Sequence, residues 1–176
     1  PGFIDSHVHI AGGGGEGGYR TRTPEATLTS LTKAGVTTVI GVLGTDGITR
    51  HPQSLIAKLR GLKEEGISAW GLLGHYRLPF ETVTGSIQGD AWMIQGFVGI
   101  GEIAISAHRS SQPPYDLFAA AAADARVGGM LAGKAGIVQC HMGDGGRMLE
   151  MIERTARETE IPIEQFVPTH MNRNPD

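Results

Sequence analysis

His7 and His9, separated by Val8 alone, close the first apolar run of this 176-residue chain. In an extended segment residues i and i+2 share a face, so both imidazoles can turn toward one ion, and Asp5 falls on that face as well. A single His-x-His pair is weak evidence, because surface and core histidines produce it too. Its weight comes from recurrence. Glu102 follows the Gly99-Ile100-Gly101 core of a later run, and His141 and His170 end two more. Four of the seven histidines then sit at the ends of extended segments, which favours a shared metal centre over isolated, hydrogen-bonded rings. Imidazole nitrogens with one carboxylate suit zinc and similar borderline ions. A carboxylate between two histidine pairs can bridge two ions about 3.5–4 Å apart, a spacing that generates a hydroxide nucleophile and polarises a carbonyl. His51, His75 and His108 fall in loops or caps and read as structural, or as supports for the ligands.

Gly12-Gly13-Gly14-Gly15-Glu16-Gly17-Gly18 follows the first run. Its glycines satisfy a G-x-G-x-x-G pattern, but the next helical pattern begins only near Pro24 and an acidic residue in the turn repels a pyrophosphate. No Gly-Lys-Ser/Thr ending is present either. The bland reading is a flexible surface loop. The sharper one brings backbone close to a ligand while Glu16 accepts hydrogen bonds from a cationic group. Nucleophilic catalysis finds little support: there is no Gly-x-Ser-x-Gly elbow, and Cys140, beside His141, faces the other side of its strand and reads as a buried packing residue.

The elements that must position these side chains are legible from periodicity. Short apolar, β-branched runs at Phe3–Ile10, Val36–Leu43, Ile67–Leu73, Phe97–Ile105, Ile137–His141 and Gln165–His170 read as buried strands. Helical patterns separate most of them. Thr23 caps a helix with Pro24 at its first position, Leu28 and Leu31 on its apolar face and Gly35 as its stop. Pro52 opens a second carrying Leu55, Ile56, Leu59 and Leu62. Asp116 precedes an alanine-rich third from Leu117 to Ala132, and Gly145 precedes a fourth with Met148, Leu149, Met151 and Ile152. Residues 77–87 read as a long loop. Strand starts about 30 to 40 residues apart give βαβ units and a parallel sheet covered by helices. An open doubly wound sheet and a (β/α)8 barrel compete, and the polar residues at strand ends favour the barrel, because every carboxyl end of a parallel barrel opens on one face. Six strands make a TIM-barrel fragment of about six βα units, one partial catalytic domain over residues 1–176.

Composition bounds the rest. Fifteen Lys+Arg against eighteen Asp+Glu leave a formal charge of −3, which argues against a chain-wide surface for nucleic acid or anionic lipid. One cysteine rules out a disulfide framework. No apolar run approaches the roughly 18 residues of a membrane span, so the chain reads as soluble and cytoplasmic. It opens on Pro1-Gly2-Phe3 and stops directly after the last histidine motif, and so reads as a fragment of a longer chain.

Phe3-Ile4-Asp5-Ser6-His7-Val8-His9, the glycine loop with Glu16, Leu43-Gly44-Thr45-Asp46, His108-Arg109-Ser110, His141-Met142-Gly143-Asp144 and Pro168-Thr169-His170-Met171-Asn172-Arg173-Asn174 resemble the isoaspartyl (β-aspartyl) dipeptidases of the amidohydrolase superfamily. The resemblance covers essentially the whole chain. It implies two zinc ions, one on His7 and His9 and the other on His141 and His170. Where the family carries a bridging carboxylated lysine this sequence has Glu102, whose side chain already bears the carboxylate. The resemblance further implies that Glu16, with the Gly14 backbone and Thr45, holds the α-ammonium of a small dipeptide, and that Tyr76 donates its phenol to the scissile carbonyl oxygen. Arg109 and Arg173 would clamp substrate carboxylates; without the resemblance Arg109 reads as a solvated loop arginine. The intact protein is expected to be a homo-oligomer. The family's general acid/base, an aspartate at the end of the eighth strand, and its small β-domain have no counterpart in these residues, so the segment alone is expected to be inactive.

The implied function is a binuclear zinc metallopeptidase that cleaves the isopeptide bond of β-aspartyl dipeptides. Two rivals remain at this level. One is an amidohydrolase of the hydantoinase or dihydroorotase kind, which acts on cyclic amides and needs no carboxylate for a free ammonium. The other is a non-catalytic barrel remnant.

Overall fold

A computed structural model describes residues 1–110 and 112–173. Six strands alternate with helices in one sheet whose order is the chain order and whose every pairing is parallel. The strands are β1 (Phe3–Val8), β2 (Val36–Gly41), β3 (Ser68–Leu73), β4 (Phe97–Ile105), β5 (Ile137–Met142) and β6 (Phe166–Thr169). Between them lie α1 (Leu28–Lys33), α2 (Pro52–Glu64), α3 (Ile87–Met93), α4 (Tyr115–Ala132) and α5 (Glu150–Glu158). The sheet is curled. Gln139 Nε2 on β5 donates to the Ser6 carbonyl on β1 at 3.2 Å, and the His7 and His170 rings stand 5.2 Å apart, although four and five strand positions separate them in the sheet. Only a sheet rolled toward closure brings such strands together, so the architecture is that of a (β/α)8 barrel represented by six βα units.

Burial follows from the pattern. On α2, Leu55, Leu59 and Leu62 are 0–2% exposed and pack against the outer face of the sheet with Val39, Ala69 and Leu73. Each such leucine contributes up to roughly 1.5–3 kcal/mol through its removal from water. On α4, Phe118, Ala121, Ala122 and Ala125 do the same, and the Phe118 ring stacks on Phe166 of β6 at 5.7 Å. Small side chains let this long helix lie close to the sheet.

Three elements depart from the expected positions. The first helix starts at Leu28, capped by Thr27, rather than at Pro24. Thr23 is drawn away because its hydroxyl accepts from Gly13 N at 2.8 Å, which ties it to the glycine loop. A short helix, α3, occupies residues 87–93 beyond the loop read from sequence; Ser86 caps it, and Lys134 Nζ donates to the Ala91 and Ile94 carbonyls at its end, each at 2.8 Å. The last helix begins only at Glu150, so Met148 lies in the preceding turn at φ 42 and stays exposed, while Met151 and Ile152 are buried. None of the helices is long and apolar enough to cross a membrane, among the described residues.

Candidate metal centre

The carboxyl ends of all six strands open on one rim, and the candidate residues come from those ends. His7 belongs to β1 and His9 follows it, Tyr76 follows β3, Glu102 sits within β4, His141 within β5, and His170 follows β6. Gly14 and Glu16 lie in the β1–α1 loop, Thr45 between β2 and α2, Arg109 between β4 and α4, and Arg173 in the turn Met171–Arg173. Asn174, the last residue of the terminal motif, lies outside the described residues.

Glu102 is the hub of the cluster. It is fully buried, and its carboxylate is 3.4 Å from His7 Nε2, 3.5 Å from His9 Nε2, 2.8 Å from His141 Nδ1 and 3.8 Å from His170 Nε2. Candidate ligand atoms form two groups, His7–His9–Glu102 and Glu102–His141–His170, each with its atoms within 4.8 Å of one another. Two ligands at 2.0–2.2 Å from a tetrahedral ion are about 3.3–3.6 Å apart, close to three of the four Glu102–His separations. The fourth, to His141, is a hydrogen bond. Buried and without a partner are Glu102 Oε1 and the Nδ1 atoms of His7 and His9. A buried carboxylate oxygen with no donor is costly unless a cation satisfies it. The donor set, the separations and the orphaned oxygen fit one or more divalent cations shared by this carboxylate.

Electrostatics agree with that fit. Burial opposes ionisation of Glu102, but hydrogen bonds from His141 and His7 outweigh it and hold the pKa at about 2. Burial lowers the pKa of His9 and of His170, so both rings are neutral near pH 7 with a lone pair to offer. For His7 burial acts in the same direction, yet the Glu102 hydrogen bond and charge overcome it and the pKa rises. Asp5 does not join the cluster. Its carboxylate accepts from His7 N at 3.1 Å, and the β1–β2 register shifts between Asp5 and Val8, which breaks the alternation that would have aligned it with the rings.

The remaining candidates line the mouth of the cluster. Tyr76 is buried, with its hydroxyl 2.8 Å from His141 Nδ1; burial, and then the Glu102 charge, push its pKa to about 12. Arg109 and Arg173 both donate to His141 Nε2, at 2.9 and 3.0 Å. Arg109 also pairs with Glu16 at 2.7 Å, and the Thr45 hydroxyl donates to the same carboxylate. Those bonds hold Glu16 ionised against burial, with its pKa below the usual value. A small cavity of about 40 Å³ lies among His9, Gly14, Glu16, Thr45, Arg50 and Tyr76, joining the glycine loop to the histidines. Gly14 has φ +65, and a Cβ there would stand 2.5 Å from the Thr21 carbonyl, so only glycine makes this turn. Gly44 is needed for another reason: a Cβ would meet His9 Cε1 at 2.7 Å.

Two residues beyond the sequence-derived candidates enter the site. Gln139 is buried beside the His7 pair and reaches Ser6 with its amide; lying two residues before His141 on one strand, it was discoverable by alternation. Arg50, two residues before α2, gave no such sign and turns inward under the glycine loop. Cys140 is buried and its thiol pKa is raised by burial, which leaves it inert. His75 is half-buried under Gly47, and His108 is exposed; neither belongs to the ligand groups.

No family model matches the sequence. Two crystal structures of β-aspartyl dipeptidase from the thermophilic, keratin-degrading Fervidobacterium islandicum AW-1 do match the structure. One, in complex with a β-Asp-Leu dipeptide, is 53% identical with a TM-score of 0.95 over 98% of this chain and 46% of its own. The other is 52% identical with a TM-score of 0.97 over 99% of this chain and 48% of its own. The chain thus spans about half the length of these relatives. A phosphotriesterase homology protein from Escherichia coli, 19% identical with a TM-score of 0.63 over 97% of this chain and 62% of its own, shares the fold.

Proposed function

We propose that this chain, which belongs with the β-aspartyl dipeptidases across the residues it shares with them, is the part of a binuclear metallopeptidase that holds the metals and the substrate's charged groups. The reaction is hydrolysis of the isopeptide bond in β-aspartyl dipeptides. The observation that carries this reading is Glu102 within 3.8 Å of four histidines, next to an ionised Glu16 that faces Arg109. His7 and His9 would hold one cation, His141 and His170 the other, with Glu102 as the shared ligand. Histidine with carboxylate favours zinc. When bound, such a pair supplies Lewis acidity, which lowers the pKa of water and polarises the scissile carbonyl.

The protein's own groups do the rest. A dipeptide exchanges the single Arg109–Glu16 ion pair for two: its ammonium meets Glu16, backed by Thr45 and the Gly14 backbone, and a carboxylate meets Arg109 with Arg173. Each end is then matched by the opposite charge, which fixes the isopeptide carbonyl over the histidine cluster. Tyr76, with a pKa of about 12, keeps its proton at neutral pH and donates a hydrogen bond to the oxyanion as it develops. The general acid that protonates the leaving amine, the last two barrel strands and a small β-domain would lie in the rest of the enzyme, so the six-stranded segment is not expected to turn over substrate alone. Weak net charge and a single buried thiol suit a cytoplasmic protein without nucleic-acid partners. Exposed Trp92, Met93, Met130 and Leu131 suit a homo-oligomer.

The test is turnover by an intact enzyme carrying this segment, loaded with zinc, on β-Asp-Leu, α-Asp-Leu and dihydroorotate. Cleavage of the β-linked peptide alone is expected. Preference for the cyclic amide, or no zinc and no turnover, would overturn the reading.

A further inference from the structure

Arg50 is a cation that is 5% exposed and directs its hydrogen bonds to the glycine loop and Asp46 rather than to the histidine cluster. Its Nη2 donates to the Gly13 carbonyl at 2.7 Å, and its Nη1 donates to the Gly14 carbonyl at 3.3 Å and to Asp46 Oδ2 at 3.2 Å. Asp46 is occupied from every side. It accepts from the Ile48 and Thr49 amides at 3.0 and 2.9 Å, from the Thr49 hydroxyl, and from Arg22 Nη1 at 2.6 Å. Arg22 in turn faces Gly14 across an isolated antiparallel bridge. Two guanidinium groups and one carboxylate therefore fasten the glycine loop, its return segment and the β2–α2 loop to one another.

The return segment also holds this loop, with Thr23 N donating to the Gly13 carbonyl at 2.9 Å, Gly13 N to the Thr23 hydroxyl at 2.8 Å and Gly17 N to the Thr21 hydroxyl at 3.1 Å, but those bonds stay within residues 13–23 and only Arg50 and Arg22 tie that unit to Asp46. Six of the seven residues from Gly12 to Gly18 are glycine, and the seventh is Glu16. Fixing each backbone unit costs roughly 1–2 kcal/mol, more for glycine, and no other side chain in the run can pack to offset it. Order must come from groups outside the run that bind its backbone, and Arg50 binds two consecutive carbonyls. Burying a guanidinium is itself unfavourable unless it is hydrogen-bonded and a carboxylate neutralises it; the two carbonyls supply the bonds and Asp46 the counter-charge. The fastened points flank the ammonium acceptor: Glu16 follows Gly14 by two residues, and Thr45, which donates to Glu16, precedes Asp46.

We infer that Arg50 and Asp46 form a clamp that holds the Gly13–Glu16 turn at one height over the rim, which makes Arg50 a positioning residue for recognition of the substrate ammonium. The inference rests on the reading of Glu16 as the ammonium acceptor. Arg50 touches no reacting atom, so its removal weakens ground-state binding rather than chemistry. Arg50→Gln keeps one amide donor but loses the charge and the fork.

The experiment is made on an intact enzyme carrying this segment, with three readouts on Arg50→Gln: KM and kcat for β-Asp-Leu, bound zinc, and amide hydrogen exchange across residues 12–18. Expected are a KM raised about tenfold or more with kcat changed less than about threefold, undiminished zinc, and faster exchange confined to that loop. A KM and loop exchange equal to the wild type would overturn the clamp, as would kcat, zinc and thermal midpoint falling together with KM unchanged. Should Arg50→Gln not fold, Asp46→Asn preserves shape, removes the counter-charge, and must give the same split in smaller measure. Loop exchange separates the two ideas: if Glu16→Gln leaves KM unchanged the ammonium reading fails, whereas the clamp is still decided by the exchange of residues 12–18.

Discussion

Glu102 Oε2 accepts a hydrogen bond from His141 Nδ1 at 2.8 Å between neighbouring strands β4 and β5, while Oε1 of the same carboxylate is buried without a partner. The register between these strands shifts between Ile100 and Ile103, so Glu102 is set in the irregular stretch rather than in the ladder, which lets its carboxylate point along the rim toward β1 and β6 at once. A ligand placed between two histidine pairs is lost to both when it is removed. On the proposed binuclear reading, Glu102→Ala is expected to lower the bound metal below two ions per chain, read by elemental analysis after gel filtration. Undiminished occupancy would make Glu102 a packing residue.

On the proposed reading, Glu16 is the group that separates an ammonium-bearing dipeptide from a cyclic amide. Its carboxylate is held ionised by Thr45 and Arg109, and a charge-assisted hydrogen bond contributes about 1.5–3 kcal/mol. Glu16→Gln is therefore expected to cut kcat/KM for β-Asp-Leu about 10- to 100-fold with zinc content unchanged, measured by steady-state kinetics beside metal analysis. Turnover equal to the wild type would contradict the assignment of the ammonium to this residue.

Much of this arrangement was legible in the sequence because barrel geometry converts strand ends into neighbours. His7, Glu102, His141 and His170 are far apart in the chain yet each ends or lies in an apolar run, and parallel strands place those ends on one rim. The failures have physical causes. Thr23 carries the signature of a helix cap, but its hydroxyl is used by Gly13, so the cap passes to Thr27. Asp5 obeys the period of two until the β1–β2 register slips. Arg50 looks like an ordinary surface cation, because the carbonyls that bury it come from a loop 36 and 37 residues earlier, and no local pattern records them.

Tyr76 is expected to act in the transition state rather than in binding. Its phenol remains protonated well above neutrality, and it stands beside the His141–Glu102 pair where an oxyanion would form. Tyr76→Phe removes one donor from a water-excluded site, and losses of that kind are about 10²- to 10³-fold in kcat. The KM should move little. Equal losses in both parameters would instead indicate that Tyr76 shapes the pocket.

The acid limb of stability should report on Asp46. Burial tends to raise its pKa, but hydrogen bonds from Thr49, Arg22 and Ile48 prevail and hold it well below the ordinary value of 3.8. A carboxyl whose folded pKa lies below its unfolded one contributes stability that is fully present above the unfolded value, and that is lost as pH falls through the folded one. Between neutrality and about pH 4.5 the contribution is therefore constant, and it declines only below about pH 3.8. Asp46→Asn removes the titrating group along with its ion pairs to Arg22 and Arg50. Denaturant midpoints measured from pH 7 to pH 3 should then show a variant that is less stable than the wild type at neutral pH and that converges toward it as acid is added. A gap that stays constant to pH 3 would mean that the carboxylate's charge contributes nothing, and that the loss comes from packing alone.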